Sequence, residues 1–235
     1  MKTKAPRMNV SPRFSLRLAL ALAVAALIAL CPLATRANTI ALDFTGGDAT
    51  LADGDLTVGW GFTLSSSVLL TDLGLWDGPN LPGGSIGDGF AQSHVVTIWT
   101  STGIQVAQAA IPAGTGTEIN NFLYVSISPT MLTAGSYVIG AFFAELADGD
   151  TDTFAGSASS VTTASGVMYD GTRSGLGNAF PQGNFFFGSN GAFGPNFQFT
   201  APPTNGVPEA SATWSLLLLG VTATFGLKSF VRRPA

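Results

Sequence analysis

Thr57-Val58-Gly59-Trp60-Gly61-Phe62-Thr63-Leu64 alternates bulky apolar residues with Thr or Gly. Successive side chains of an extended chain point to opposite faces, so Val58, Trp60, Phe62 and Leu64 share one side. This is the pattern of a strand with one buried face. Val68 to Asp77 follows after a Ser65-Ser66-Ser67 turn. Outward from there, strands are predicted at Ile40 to Phe44, Val95 to Thr100, Gln105 to Ile111, Phe122 to Ile127 and Ser136 to Glu145. Val167 to Tyr169, Asn184 to Phe187 and Asn196 to Phe199 complete the set. Gly, Asn, Asp and Pro punctuate them, and no long stretch carries a helical period. The expectation is an all-β domain over residues 38–200, a single antiparallel β-sandwich of jelly-roll type.

Two segments break the rhythm. Gly78 to Ser93 holds five Gly and two Pro and is predicted to be an exposed excursion at one end of the sandwich. Ala147 to Ser160 begins acidic and becomes rich in Ser and Ala, the second predicted loop. Residues 201–206, with Pro202-Pro203, read as a short extended linker.

Charge is distributed unevenly. Residues 38–206 contain thirteen Asp and Glu against one cation, Arg173, for a net −12, whereas the whole chain is only −4. Such a domain disfavours nucleic acid and anionic headgroups as partners. It offers oxygen ligands to hard cations. The single cysteine, Cys31, lies before this region, so the domain has no means for thiol catalysis or Cys-ligated zinc.

The ends carry the remaining cations. Lys2, Lys4, Arg7, Arg13 and Arg17 precede an apolar run from Leu18 to Leu30, then Pro32 and Thr35-Arg36-Ala37. This reads as a secretory signal over residues 1–37, cleaved by signal peptidase after Ala37. The alternatives are an uncleaved N-terminal anchor and a lipoprotein at Cys31, where Leu30 stands in place of a small residue. At the other end, Val207-Pro208-Glu209 precedes the 18 uncharged residues from Ala210 to Leu227. As a helix that run measures about 27 Å, near the roughly 30 Å of a hydrocarbon core. Phe230 and Val231 extend the apolar stretch, Trp214 suits the membrane interface, and Lys228, Arg232 and Arg233 hold the end in the cytoplasm.

Val207-Pro208-Glu209, the Leu216-Leu217-Leu218-Leu219-Gly220 core and Arg232-Arg233 together resemble a PEP-CTERM sorting signal, with Ala210 where a second Pro is usual. The resemblance covers residues 207–235. It implies a Gram-negative bacterium that makes exopolysaccharide and an integral-membrane exosortase that cuts near Pro208-Glu209. The protein would be held transiently in the inner membrane and then released to the outer surface or matrix. The alternative is an ordinary C-terminal membrane anchor. Gly59-Trp60-Gly61-Phe62, Leu73-Gly74-Leu75-Trp76-Asp77, Ser93-His94-Val95-Val96-Thr97-Ile98-Trp99, Leu132-Thr133-Ala134-Gly135-Ser136-Tyr137 and Gly194-Pro195-Asn196-Phe197-Gln198-Phe199 are similar to a β-sandwich domain of unknown function found in such exported proteins. That similarity implies a fold and an extracellular setting, with no activity attached.

Chemistry within the domain rests on few residues. Asp148-Gly149-Asp150-Thr151-Asp152 places carboxylates at positions 1, 3 and 5 of a turn, a spacing that can converge on calcium, with Asp53 and Asp55 as further donors. The bidentate Glu of an EF-hand is missing, and the competing reading is a solvated acidic loop. His94 is the only histidine, with no Gly-x-Ser-x-Gly elbow near it, and is expected as a half-exposed residue of an edge strand. A glycosidase would need two carboxylates about 5–9.5 Å apart. Trp76 beside Asp77 is a candidate for stacking on a sugar. The leading expectation is a non-enzymatic structural or adhesive component of an exopolysaccharide matrix. The alternative is a carbohydrate-binding module or a carbohydrate-active enzyme using Asp carboxylates.

Overall fold

The computed structural model describes residues 37–52, 54–184 and 191–202. The chain divides into two units, Met1–Ala37 and Asn38–Ala235. Among the described residues the protein is built from antiparallel strands, joined in two larger sheets and two short ribbons. One sheet runs β1 (Thr39–Ile40), β15 (Pro195–Thr200), β5 (Val68–Trp76), β9 (Phe122–Leu132) and β8 (Glu118–Ile119). The other runs β14 (Gly183–Asn184), β13 (Val167–Leu176), β4 (Leu56–Leu64), β10 (Gly135–Phe143), β6 (His94–Thr100) and β7 (Gln105–Ile111). The ribbons pair β11 (Phe154–Gly156) with β3 (Asp48–Thr50), and β12 (Ser160–Thr163) with β2 (Leu42–Thr45).

The alternation read in Thr57–Leu64 puts Val58, Trp60, Phe62 and Leu64 in the core. Residues of both larger sheets meet there. Trp60 stacks on Phe197 of β15 at 5.9 Å and 17°, and its Nε1–H donates to the Pro195 carbonyl at 2.8 Å. Leu70, Leu73 and Leu75 join Ile98 and Ile139 in the same apolar cluster. Each such side chain contributes about 1.5–3 kcal/mol by leaving water.

The other face of β4 is closed by its glycines. Gly59 lies opposite Gly140 of β10, and a Cβ on Gly59 would stand 1.8 Å from the Ile139 carbonyl oxygen. Backbone cannot rotate away as a side chain can. Gly59→Ala is therefore expected to cost about 1–3 kcal/mol through overpacking, visible as a lower urea midpoint.

Several predicted boundaries move. β9 continues past Ile127 to Leu132, with Pro129 opposite the register shift between Leu70 and Asp72, where the ladder is already irregular. β13 runs on from Tyr169 to Leu176 because Asp170-Gly171 forms a bulge, with Gly171 at φ +81°. Ala147 to Ser160 is not one open loop. It contains a 3-10 turn at Leu146–Asp148 and strand β11, and Asp150, Asp152, Thr153 and Phe154 are buried. Gly78 to Ser93 is not exposed throughout: Pro82 to Ile86, Ala91 and Ser93 are exposed, whereas Gly78, Gly89 and Phe90 are buried.

His94 is also corrected: β6 lies between β10 and β7, and the residue is 2% exposed. The signal residues 1–36, Val207, Pro208, Glu209, Trp214, Leu216 to Leu219, Lys228, Arg232 and Arg233 lie outside the described residues. Among the described residues no helix is long and apolar enough to cross a membrane.

Candidate functional site

His94 opens β6 with its ring between two phenylalanines, Phe90 at 5.4 Å and Phe143 at 5.0 Å. Its Nδ1 lies 2.9 Å from the Phe142 carbonyl and its Nε2 2.6 Å from Asp152 Oδ2. A carbonyl and a carboxylate both accept, so both ring nitrogens are placed to donate, the pattern that favours an imidazolium. Asp150 Oδ1 stands 3.9 Å from the same Nε2.

Backbone amides also bind both carboxylates. Asp152 accepts the N–H groups of Ala91 (2.8 Å) and Gln92 (3.1 Å), and Asp150 accepts those of Ala144 (2.9 Å) and Asp152 (3.0 Å). The cluster thus ties the end of the Gly-rich segment and the acidic segment to β6 and β10. Burial alone would lower the His94 pKa, but the hydrogen bonds to Asp152 and Phe142 and the two carboxylate charges raise it. Burial opposes ionisation of Asp152, yet His94 and the two amides hold it below the ordinary carboxylate value. For Asp150 burial prevails over His94 and the amides, and its pKa is raised.

This geometry brings together two of the three predicted calcium carboxylates, Asp150 and Asp152, and leaves the exposed Asp148 outside. Asp148 instead offers its backbone carbonyl to Gln92 Nε2. Asp55 reaches the same region, accepting the Glu145 N–H at 3.2 Å, and Asp53 lies outside the described residues. Among the described residues, His94, Asp150 and Asp152 could hold a metal, with ligand atoms within 4.8 Å of one another. The 2.6 Å separation of Nε2 and Oδ2 is that of a hydrogen bond. Two ligands of one tetrahedral zinc, bound at about 2.1 Å, stand roughly 3.4 Å apart. A general base needs a free lone pair facing substrate. In this arrangement His94 has both nitrogens committed and is closed off from solvent.

A second ionisable pair lies at the start of the Gly-rich segment. Asp77 is fully buried, and its two oxygens accept the Gly89 N–H at 3.2 and 3.1 Å. Its backbone N–H donates to Asn121 and its carbonyl accepts from Gly87. Burial, then a hydrogen bond to Glu118 and the repulsion of that carboxyl, push Asp77 up to about 7, against the pull of Gly89. Burial and the neighbouring Glu118 carboxyl together favour the protonated, neutral form of Asp77. A glycosidase instead needs its two carboxyls standing apart on either side of a scissile bond.

Next to this pair an open groove of about 460 Å³ runs between the Gly-rich segment and the β8–β9 turn. Asp43, Phe44, Thr45, Pro79, Ile86 and Asn120 line it, over Trp76 and Phe122. Trp76, the predicted sugar-stacking residue, is only 5% exposed, because it is packed in a cluster with Phe122 and Ala155, with Phe44 and Tyr124 against it. Phe44 packs edge-on against Trp76 at 5.8 Å and keeps part of its surface open.

These features define an antiparallel β protein whose buried ionisable groups brace its loops. No protein-family model, curated protein or solved structure matches the chain.

Sequence reasoning missed the burial of His94, the Asp77–Glu118 pair and the groove. One signal was present: His94 begins Val95-Val96-Thr97-Ile98-Trp99, a nearly continuous apolar run typical of a strand covered on both faces. Another was Asn120-Asn121, both at positive φ (54° and 62°), the residues that favour a two-residue hairpin turn.

Proposed function

We propose that this chain is an exported, non-enzymatic surface or matrix protein whose two larger sheets form one jelly-roll-like β-sandwich. The observation that carries the non-enzymatic part is the use made of the buried acids. Asp72, Asp77, Asp150 and Asp152 are each at most 7% exposed, and each accepts hydrogen bonds from loop backbone or from a neighbouring side chain. Asp77, Asp150 and Asp152 bind loop backbone, and Asp72 binds Asn38 and Ser126. Their oxygens are committed within the fold, unlike those of an acid–base pair, which must reach substrate. The acidic domain, with Arg173 its one cation, suits solubility outside the cell.

Delivery follows from the two ends. Signal peptidase removes residues 1–37, the apolar run from Ala210 holds the chain in the inner membrane, and an exosortase cuts at Pro208-Glu209. The mature domain then joins an exopolysaccharide or biofilm matrix at the outer surface. Replacing Pro208 and Glu209 together by alanine tests the sorting step. The variant is expected to stay in the membrane fraction while the unaltered protein reaches the surface and medium. An unchanged distribution contradicts exosortase processing.

A further inference from the structure

We infer that the groove between the Gly-rich segment and the β8–β9 turn is a binding site for a neutral oligosaccharide. This deepens the matrix reading by giving it a site and a ligand class, but it rests on the groove's own side chains. The volume, about 460 Å³, falls in the range of about 300–1,000 Å³ typical of small-ligand sites.

The lining is amphipathic in the way a sugar ring is. Phe44, Pro79 and the 52% exposed Ile86 offer apolar surface to the C–H face of a pyranose. Asp43 and Asn120 supply the polar side. Asp43 Oδ1 accepts the Phe44 N–H at 2.9 Å, which fixes the carboxylate, and its Oδ2 receives the Asn120 Nδ2 at 3.4 Å. An ionised carboxylate only accepts, whereas an amide both donates and accepts. The two side by side match adjacent hydroxyls, each of which is donor and acceptor at once. Thr45 adds a hydroxyl whose Oγ1 is already positioned 2.7 Å from Ser160 Oγ.

Charge selects within the class. Among the described residues that line the groove none is a cation, and Asp43 is an acid, so a uronate or sulfated chain meets repulsion there. The walls are preformed. Asp77 fixes the start of one by binding the backbone of Gly87 and Gly89, and the paired positive-φ residues Asn120 and Asn121 shape the other. Preformed walls reduce the ordering cost of binding.

The test is calorimetric titration of the purified full-length protein with cellohexaose, maltohexaose, mannohexaose and xylohexaose, and with a guluronate hexamer as the anionic probe. At least one neutral hexasaccharide is expected to bind with a Kd below about 10 mM, and the guluronate more than about tenfold more weakly. Asn120→Gly keeps the positive φ of the turn and removes the amide, and Asp43→Ala removes the carboxylate. Each is expected to weaken binding about five- to tenfold, with the urea midpoint confirming an intact fold. Failure of all four neutral probes, equal or tighter binding of the guluronate, or unchanged affinity in both folded variants overturns the inference. None of those results bears on export, which the Pro208 and Glu209 variant reads separately.

Discussion

Replacing His94 with alanine is expected to destabilise the protein by about 3–5 kcal/mol, a large share of a typical domain's stability. The cause lies in what the substitution leaves behind. Asp152 loses its 2.6 Å partner and Asp150 its nearest positive charge, while both stay 2% exposed. An uncompensated buried carboxylate must either take up a proton or drag its loop out to water. Either way the amide bonds to Ala91, Gln92 and Ala144 weaken, so the ends of two loops loosen together.

Urea unfolding at pH 5.5 measures the effect, where a slope of about 2 kcal/mol per molar places the shift near 2 M. His94→Gln, which can still donate to Asp152, is expected to recover part of the loss. The double cycle with Asp152→Asn should then show a coupling of about 2 kcal/mol or more. Asp148→Asn, on the exposed residue that shares the acidic motif, should stay within about 0.5 kcal/mol. A His94→Ala loss under about 1 kcal/mol would show that the cluster is not a clamp.

The second large effect is a fall in stability as pH rises. Asp77 ionises near the ordinary value of 3.8 in the unfolded chain but only at about 7 when folded. The folded protein therefore binds an extra proton between those values, and stability decreases across that window. Three pKa units correspond to about 4 kcal/mol. His94 acts in the same direction at higher pH. Its folded pKa is raised above 6.5, so its contribution is complete below that value and disappears as pH climbs through the folded pKa. Asp152 acts oppositely, being held below 3.8, so its contribution is present above that value and lost in stronger acid.

Asp150, whose folded pKa is also raised, adds to the effect of Asp77, so the sum places maximal stability near pH 4, with a marked decline by pH 8. Thermal or urea unfolding at pH 5, 6.5 and 8 gives the profile. Asp77→Asn cannot ionise and should flatten the segment between pH 4 and 7. At pH 8 that variant should equal or exceed the unaltered protein. Stability that is level or rises from pH 5 to 8 would mean that Asp77 is not held protonated in the folded protein.

Legibility in the sequence followed the range of the interactions. Thr57 to Leu64 and Gln105 to Ile111 were readable because period-two alternation is local, and both emerge as strands within one residue of the predicted bounds. The fates of Asp150 and Asp152 were not. Their motif is local, but their partners His94, Ala91 and Gln92 lie some sixty residues away, where only folding brings them close. The acidic spacing suggested a site open to a cation, whereas the structure turns two of those carboxylates inward onto His94. Asp77 and Glu118 illustrate the same limit, since nothing in either local context marks them as a pair. Gly171 misled in the reverse sense: a residue that often ends strands here lets β13 bulge and continue.

Under the proposed function, a nearly cation-free domain is parted from two basic, apolar ends. Intact mass spectrometry of the protein recovered from medium and cell envelope tests this most directly. The expected species begins at Asn38 and ends near Pro208-Glu209, without the residues that follow. Recovery of the intact chain from Met1 to Ala235, folded in the cytosolic fraction, would contradict it.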